Sequence, residues 1–395
     1  MTIAREEAGT RSSYPRGRSL RRWLGTKERA VTVVLGTRAQ TIKMAPVLRS
    51  LEAHEHPYQL VLTGQHQITI PEILADFEIE TKPTELFPGT EISGIGKMLL
   101  WLPQVVLRLF RLRDRILRDR SGNPHLVLVH GDTVSTLAGA IAGRLAGCPV
   151  AHIEAGLRSF KLTDPFPEEL TRILVSRFTQ LHYAPGSWAA GNLPGQRGLL
   201  VDTRENTLLD SLRHALASAV LIPDPQPIMP YCVVSIHRFE NIFSRQRMRW
   251  LAKALAWIAT KVNVEFILHP ATEKRLAHYG LRDSIDSLPG IRTRNRMSYI
   301  PFVQLLRGAA FVITDGGSNQ EELHYLGKPT LLLRDTTERQ EGIGDLALLC
   351  SFDFNALRSF VSQALSGNSD RLRISNSPSP SDFIVEHIRN VGHKR

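Results

Sequence analysis

At 395 residues, 42% of them hydrophobic and regularly broken by polar positions, the chain is long enough for two globular domains of ordinary size, each with its own core. Its formal charge of +11, from 49 Lys and Arg against 38 Asp and Glu, favours an anionic partner such as nucleic acid, an anionic membrane face or a phosphorylated small molecule. No stretch reaches the roughly 18 uninterrupted apolar residues of a membrane span, and Cys148, Cys232 and Cys350, odd in number and without CxxC spacing, fit a reducing cytoplasm and speak against a structural zinc.

In chain order, Met1 to Arg29 holds Arg5, Arg11, Arg16, Arg18, Arg21, Arg22, Lys27 and Arg29 against Glu6, Glu7 and Glu28. It lacks the apolar run of about 7 residues that a signal peptide needs, so residues 1–29 read as a basic flexible tail. Apolar strand candidates follow at Val31 to Leu35, Gln59 to Leu62, Leu126 to Val129, Pro149 to Ile153 and Leu181 to Tyr183, alternating with helix-length segments such as Ser135 to Ala146. Such alternation predicts a doubly wound parallel sheet over residues 30–221. One segment stands apart: Lys97 to Arg120 sets seven basic and two acidic residues among Leu, Val, Ile, Phe and Trp and reads as a basic amphipathic helix. Packing of its apolar stripe on the sheet is the ordinary use of such a helix; peripheral contact with a membrane surface is the other.

Residues 222–230, with four prolines in nine positions, suit neither helix nor sheet and are expected to link two domains. A second α/β unit over 231–366 has strand candidates Tyr231 to Ser235, Val264 to Leu268, Phe311 to Thr314 and Thr330 to Leu333. Its helices are expected at Gln246 to Lys261, Phe302 to Arg307 and Gln320 to Leu326. Residues 367–395 form a Ser/Asn/Pro-rich tail in which Asp382 to Asn390 can make one closing helix. The fold class expected is therefore α/β, two Rossmann-like parallel-sheet domains facing a central cleft.

Polar residues gather where strands end. Asp132 follows the strand at Leu126 and Glu154 follows the next one, so parallel neighbours bring both carboxylates to the crevice where open α/β sheets bind ligands; Glu168 and Glu169 lie a short way on. The first strand ends in Gly36-Thr37-Arg38 with Lys43 close behind, the parts an anion site at a helix start needs. Gln65 and His66 sit in a similar turn after the second strand. In the second half, His237, Arg238 and Glu240 follow a buried strand, where an imidazole titrating near neutrality and a bidentate guanidinium point to an anionic ligand. Thr314-Asp-Gly-Gly-Ser318 turns a strand into a helix through two glycines, a geometry that lets backbone N–H groups approach phosphate, with Glu321 or Glu322 positioned for ribose hydroxyls. Arg334 and Arg339 return at the end of the next strand.

These motifs together resemble the non-hydrolysing UDP-N-acetylglucosamine 2-epimerase family over about residues 30 to 350. The resemblance rests on GTRAQTIKMAPV from Gly36, GQH from Gly64, VHGDTVST from Val129, HIEAGLR from His152, PEELTR from Pro167, HRFEN from His237, TDGGSNQEE from Thr314 and RDTTERQE from Arg334. It implies a GT-B type fold, a UDP-sugar substrate, no metal, no nicotinamide or other cofactor, a cytoplasmic homodimer and no nucleic-acid partner. A peripheral site at the inner membrane face would come from the helix at 97–120. The implied reaction interconverts UDP-N-acetylglucosamine and UDP-N-acetylmannosamine at C2 by anti-elimination and re-addition of UDP, a supply step for bacterial surface polysaccharide. A hydrolysing relative and a glycosyltransferase on the same scaffold are the competing readings.

By the same resemblance, Asp132, Glu154, Glu168 and His237 are the catalytic candidates. Arg38, Lys43, Gln65, Arg158, Arg238, Ser318, Asn319, Glu322 and Arg339 are the substrate-binding ones. Opposed acid and base groups at C2 require carboxylates in different states of protonation. Ala39-Gln40 stands where the family motif has Pro-Glu, Thr171 where it has Asn, Gly316-Gly317-Ser318 where it has Ser-Gly-Gly, and Glu205-Asn206-Thr207 where it has Gly-Asn-Thr.

Overall fold

The computed structural model describes residues 18–25, 30–65, 69–88, 95–162, 166–193, 195, 198–218, 230–367, 372–374 and 376–391. The chain divides into two compact units, Met1–Ser211 with Ser377–Arg395, and Leu212–Asn376. In the first, seven strands run β1 (Val31–Leu35), β2 (Tyr58–Leu62), β3 (Thr84–Glu85), β4 (Leu126–His130), β5 (Val150–Ile153), β6 (Leu181–Ala184) and β7 (Leu199–Asp202). They are arranged 3-2-1-4-5-6-7, with every neighbour parallel. The second unit holds β8 (Tyr231–Ser235), β9 (Asn263–Leu268), β10 (Ile291–Asn295), β11 (Phe311–Thr314), β12 (Thr330–Leu332) and β13 (Ala347–Leu349) in the order 10-9-8-11-12-13, again all parallel. Two parallel-sheet α/β units are the fold class expected from the alternation of apolar runs.

Each sheet reverses its strand order once, between β1 and β4 in the first unit and between β8 and β11 in the second. Successive connections leave to opposite sides at such a point, so the loops at the strands' carboxyl ends part and open a crevice. Register places Val31 beside Leu126 and Phe311 beside Cys232, so the turns after each central pair of strands begin at similar levels. β1 and β4 are buried along their whole length, as sheets covered on both faces require.

Two capping boxes start the helices that flank the first crevice. Thr37 caps Arg38–Ala53 with Gln40 at its third position, and Thr133 caps Val134–Leu145 with Thr136. The first helix buries Met44, Val47, Leu48 and Leu51 on one face. The second lies close on the sheet because it presents glycine: a Cβ at Gly139 would stand 2.9 Å from Val129 Cγ1.

Three expectations need correction. Within the stretch read as a basic tail, Arg18–Leu24 is a helix, and Leu20 and Trp23 enter the first unit's core beside Leu51 and Ile384. Burial of Leu20 and of the Trp23 indole, which is fully covered, gives this charged segment apolar surface to order against. Residues 1–17 and 26–29 lie outside the described residues. The basic segment 97–120 is not one helix: Ile95–Arg111 gives way to a single turn, Arg113–Ile116. The chain then reverses at Asp119, whose Oδ1 accepts from Ser121 N–H at 2.9 Å and Asn123 N–H at 2.8 Å. Trp101, Val105 and Leu109 are buried against the helix Val134–Leu145, and Leu100 and Leu107 are exposed.

Third, the boundary between compact units falls at Ser211, ahead of the proline-rich segment, of which only Pro230 is described. The closing helix, Pro380–Asn390, is part of the first unit: Ile384, Val385 and Ile388 join its core, and Asp210 accepts from Ser379 Oγ at 2.8 Å and Ser381 N–H at 2.9 Å.

A buried imidazole makes the first unit acid-sensitive. His125, whose Nδ1 lies 2.9 Å from Thr32 Oγ1, is pushed down by burial to about 4, against the smaller upward pull of Asp119. The unfolded chain, titrating at about 6.5, binds a proton there that the native state refuses, so this contribution to stability is complete above about pH 6.5 and is lost as pH falls towards about 4. His125→Asn should therefore lose less Tm than the wild type between about pH 7 and about pH 5, by about 4 °C. Equal losses in the two proteins would contradict this.

Candidate active site

In the first unit the turns after β4 and β5 carry the two principal carboxylates, on neighbouring strands whose backbones run about 5 Å apart. Glu154 leaves β5 with φ 64, a left-handed conformation that costs a glutamate energy and persists where the surroundings enforce it. Those surroundings are visible. Lys43 Nζ donates to its Oε2 at 2.5 Å, Asn206 Nδ2 donates to the same oxygen, and His130 Nε2 lies 3.9 Å away. The Lys43–Glu154 pair is buried on both sides, so either partner alone would be a charge with no counterion.

Asp132 follows Gly131, and its Oδ2 accepts from Arg172 Nη2. The turn that aims it is held at two successive carbonyls. Gln40 Nε2 and Thr136 Oγ1 both donate to His130 O at 2.6 Å, and His152 Nε2 donates to Gly131 O at 2.7 Å. Burial keeps His152 below the usual imidazole range, outweighing the Gly131 carbonyl and the carboxylates of Glu154 and Asp132, so a neutral ring with its proton on Nε2 makes this bond.

Arg172 joins the two parts of the site. Its Nη1 donates to Glu169 Oε2 at 3.3 Å, while Glu169 also accepts from Arg158 Nε at 2.5 Å and Ser159 N–H at 3.0 Å. Burial pushes the Glu169 carboxyl up, but the Ser159 N–H and the Arg158 and Arg172 guanidinium groups outweigh it and hold it below the usual carboxylate range. Glu169 is thus a fixed anion that aligns Arg158 and Arg172. Glu168, its neighbour, opens the helix Glu168–Phe178 half-buried. Gln65 is buried and accepts from Ser135 Oγ at 2.8 Å; Arg38 is half-buried in the first turn of its helix; His66 lies outside the described residues.

The second unit is organised by Asp315, fully buried at the end of β11. It accepts from His237 N–H and Arg238 N–H at 3.0 Å and from Asn241 Nδ2 at 2.9 Å, and His237 Nδ1 stands 3.4 Å from its Oδ1. Four contacts therefore tie the His237–Asn241 turn after β8 to the turn after β11. Burial works against the Arg238 charge, yet Glu338, Glu240 and Asp315 raise its pKa above that of a free guanidinium.

Gly316 and Gly317 open the helix Gly317–Leu326 where side chains crowd: a Cβ at Gly317 would stand 2.8 Å from Glu338 Oε1, and one at Gly316 2.6 Å from Asn319 Oδ1. The helix start has no side-chain cap. Ser318 and Asn319 occupy its first turn, and Asn319 Nδ2 donates to Glu322 Oε2 at 3.0 Å. Arg339 is buried in an ion pair with Glu321. That places it inside the unit, where it fixes the helix against the Thr336–Arg339 turn.

Four residues outside the predicted set prove central: Arg172, Asn206, Asp315 and Gln40. Arg172 and Asp315 lie inside quoted motifs and could have been found as charges too regularly placed to be solvated. Gln40 and Asn206 also lie in stretches set beside the family's motifs, but an amide in a loop or first turn is ordinary, so the residue type alone gives no sign of the role. Among the described residues no group of three His, Cys, Asp or Glu side chains is arranged to hold a metal ion.

Asp315→Ala removes the acceptor for two backbone N–H groups and one amide. It should cost about 3 kcal/mol in urea unfolding, the desolvation of buried groups left unmatched. A loss below about 1 kcal/mol would show that the turn is held by other contacts.

A sequence profile described as UDP-N-acetylglucosamine 2-epimerase matches residues 49–380. The UDP-N-acetylglucosamine 2-epimerase of Neisseria meningitidis is 30% identical over 349 residues, covering 84% of this chain and 90% of that protein. The crystal structure of the N. meningitidis enzyme bound to UDP-GlcNAc matches with a TM-score of 0.78 at 28% identity, over 91% of this chain and 100% of that one. The Methanocaldococcus jannaschii enzyme in complex with UDP-GlcNAc and UDP gives 0.78 at 25% identity, over 91% and 99%. The fold is therefore of the GT-B type seen in these enzymes, and the chain belongs to the UDP-N-acetylglucosamine 2-epimerase family.

Proposed function

We propose that this chain is a non-hydrolysing epimerase that inverts C2 of a UDP-linked N-acetylhexosamine. The observation that carries the reading is the pair of carboxylates Glu154 and Asp132, on adjacent strand ends and each bound to its own cation, Lys43 and Arg172. The C2 proton is not acidic, so its removal needs a base held against the carbon, and inversion needs a second group on the other face. Two separately anchored carboxylates meet that requirement, and Glu168 is the third candidate for the same exchange.

In the proposed sequence a carboxylate takes the C2 proton while the C1–O bond breaks and its electron pair leaves with UDP, giving a C1–C2 double bond. A proton is then delivered to the opposite face of C2, and the UDP oxygen adds back to C1. Charge builds on the leaving diphosphate, and cations offset it. Arg238 supplies one in the second unit, with His237 beside it, both held at their backbone N–H groups by Asp315, and with Ser318, Asn319 and Glu322 around the nucleotide. Arg38 serves the diphosphate, and Lys43 the carboxylate it already holds. By the resemblance, the product feeds surface polysaccharide synthesis and the working form is a cytoplasmic homodimer.

Incubation with UDP-N-acetylglucosamine in D2O, followed by NMR, should give deuterium at C2 and a mixture of two UDP-sugars. Free N-acetylmannosamine accumulating with UDP would replace this reading with the hydrolysing one, and no exchange at C2 would overturn both. Asp132→Asn and Glu154→Gln should each lower the exchange rate by about a hundredfold or more while UDP binding changes little; full exchange in both would remove these groups from the chemistry. Arg38→Ala should weaken UDP binding about tenfold, as loss of one charge-assisted contact does, and unchanged affinity would remove that turn from the site.

A further inference from the structure

Gln40 lies outside the acid–base groups, yet it is almost fully buried and uses both ends of its amide. Its Oε1 accepts from Gly36 N–H at 3.0 Å and Thr37 N–H at 3.2 Å. Its Nε2 donates to His130 O at 2.6 Å and Thr136 Oγ1 at 2.8 Å. Backbone N–H groups on one side and a backbone carbonyl on the other fix which way the amide faces. The bond to His130 O spans the reversal of strand order between β1 and β4. On one side of it, one helical turn beyond Gln40, stands Lys43 with its partner Glu154; on the other, two residues beyond His130, stands Asp132.

Only a group that accepts and donates at once can make this bridge. A carboxylate of the same shape could take the Gly36 and Thr37 N–H groups, but it would set a buried negative charge against the His130 carbonyl and leave that carbonyl one donor short. A protonated carboxyl could still donate once. The family motif has glutamate at this position, and this chain has the amide, which needs no proton to work.

We propose that Gln40 is a positioning residue for the C2 chemistry, a permanently neutral bridge that fixes the spacing of the Lys43–Glu154 pair from Asp132 whatever the pH. This rests on the epimerase reading above. The amide is buried with both ends engaged, so its effect reaches the reaction through the alignment of those groups.

The test compares wild type, Gln40→Glu and Gln40→Ala for C2 deuterium exchange with UDP-N-acetylglucosamine, with kcat and KM measured from about pH 5.5 to about pH 9 and circular dichroism at each pH. Gln40→Glu should approach wild-type kcat at the low end and lose about tenfold or more relative to wild type as its carboxyl ionises, with KM changed less than about threefold. Gln40→Ala should be depressed at every pH. A Gln40→Glu profile superimposable on that of the wild type, a folded Gln40→Glu inactive even at the lowest pH, or wild-type kcat in Gln40→Ala would each overturn the role assigned to Gln40. Should Gln40→Ala fail to fold, the Gln40→Glu profile decides alone, because one folded protein is compared with itself. Absence of exchange in the wild type would instead overturn the epimerase reading, a result distinguishable because it involves no variant.

Discussion

The architecture depends on one constraint of parallel sheets: strand order can reverse only by sending neighbouring connections to opposite sides, which parts the loops at that point. Parted loops make room for a ligand and leave reactive groups without a rigid frame. Each unit answers this with a polar bridge across the gap. In the first, Gln40 reaches from the turn after β1 to the carbonyl that ends β4. In the second, Asp315 reaches from the end of β11 to the backbone of His237 and Arg238 after β8. Both bridges are buried, so water cannot replace them.

The charges of the first unit follow the same logic. Each of these carboxylates is matched by a cation: Glu154 by Lys43 and Asp132 by Arg172, both from other elements, and Glu169 by Arg172 on its own helix and again by Arg158. Pairs of this kind add little net stability, because desolvation opposes their attraction. What they provide is location. The left-handed backbone at Glu154 shows that location being enforced against local preference.

How much of this the sequence could reveal depended on how local each cause was. The interior strands β1, β4, β8 and β11 were legible because burial on both faces writes them as unbroken apolar runs. The edge strands β3, β7, β10 and β13 were not: one face or one edge is open there, and Ile291–Asn295 carries two arginines. The helix Arg18–Leu24 was hidden by its own charge, since Leu20 and Trp23 in the core and Leu24 packed against it stand among three arginines. The return of Ile384 to the first unit's core could not be seen at all, because nothing in a sequence records which distant surface a closing helix covers. The candidate acids were legible as carboxylates at strand ends; which partner each one takes, Arg172 for Asp132 and Asn206 for Glu154, was not, since pairing across dozens of residues is a property of the folded chain.

If elimination of UDP is the event around which these carboxylates are arranged, it leaves a mark even in substrate that returns unchanged. UDP-N-acetylglucosamine labelled with 18O in the bridge between C1 and the β-phosphorus can be incubated with the enzyme, recovered and read by 31P NMR. If the C1–O bond breaks and the freed diphosphate rotates before re-adding, the label appears in non-bridging positions of the β-phosphate. Label retained wholly in the bridge while C2 exchanges its proton would contradict the account, because the carboxylates would then be moving a proton without releasing UDP.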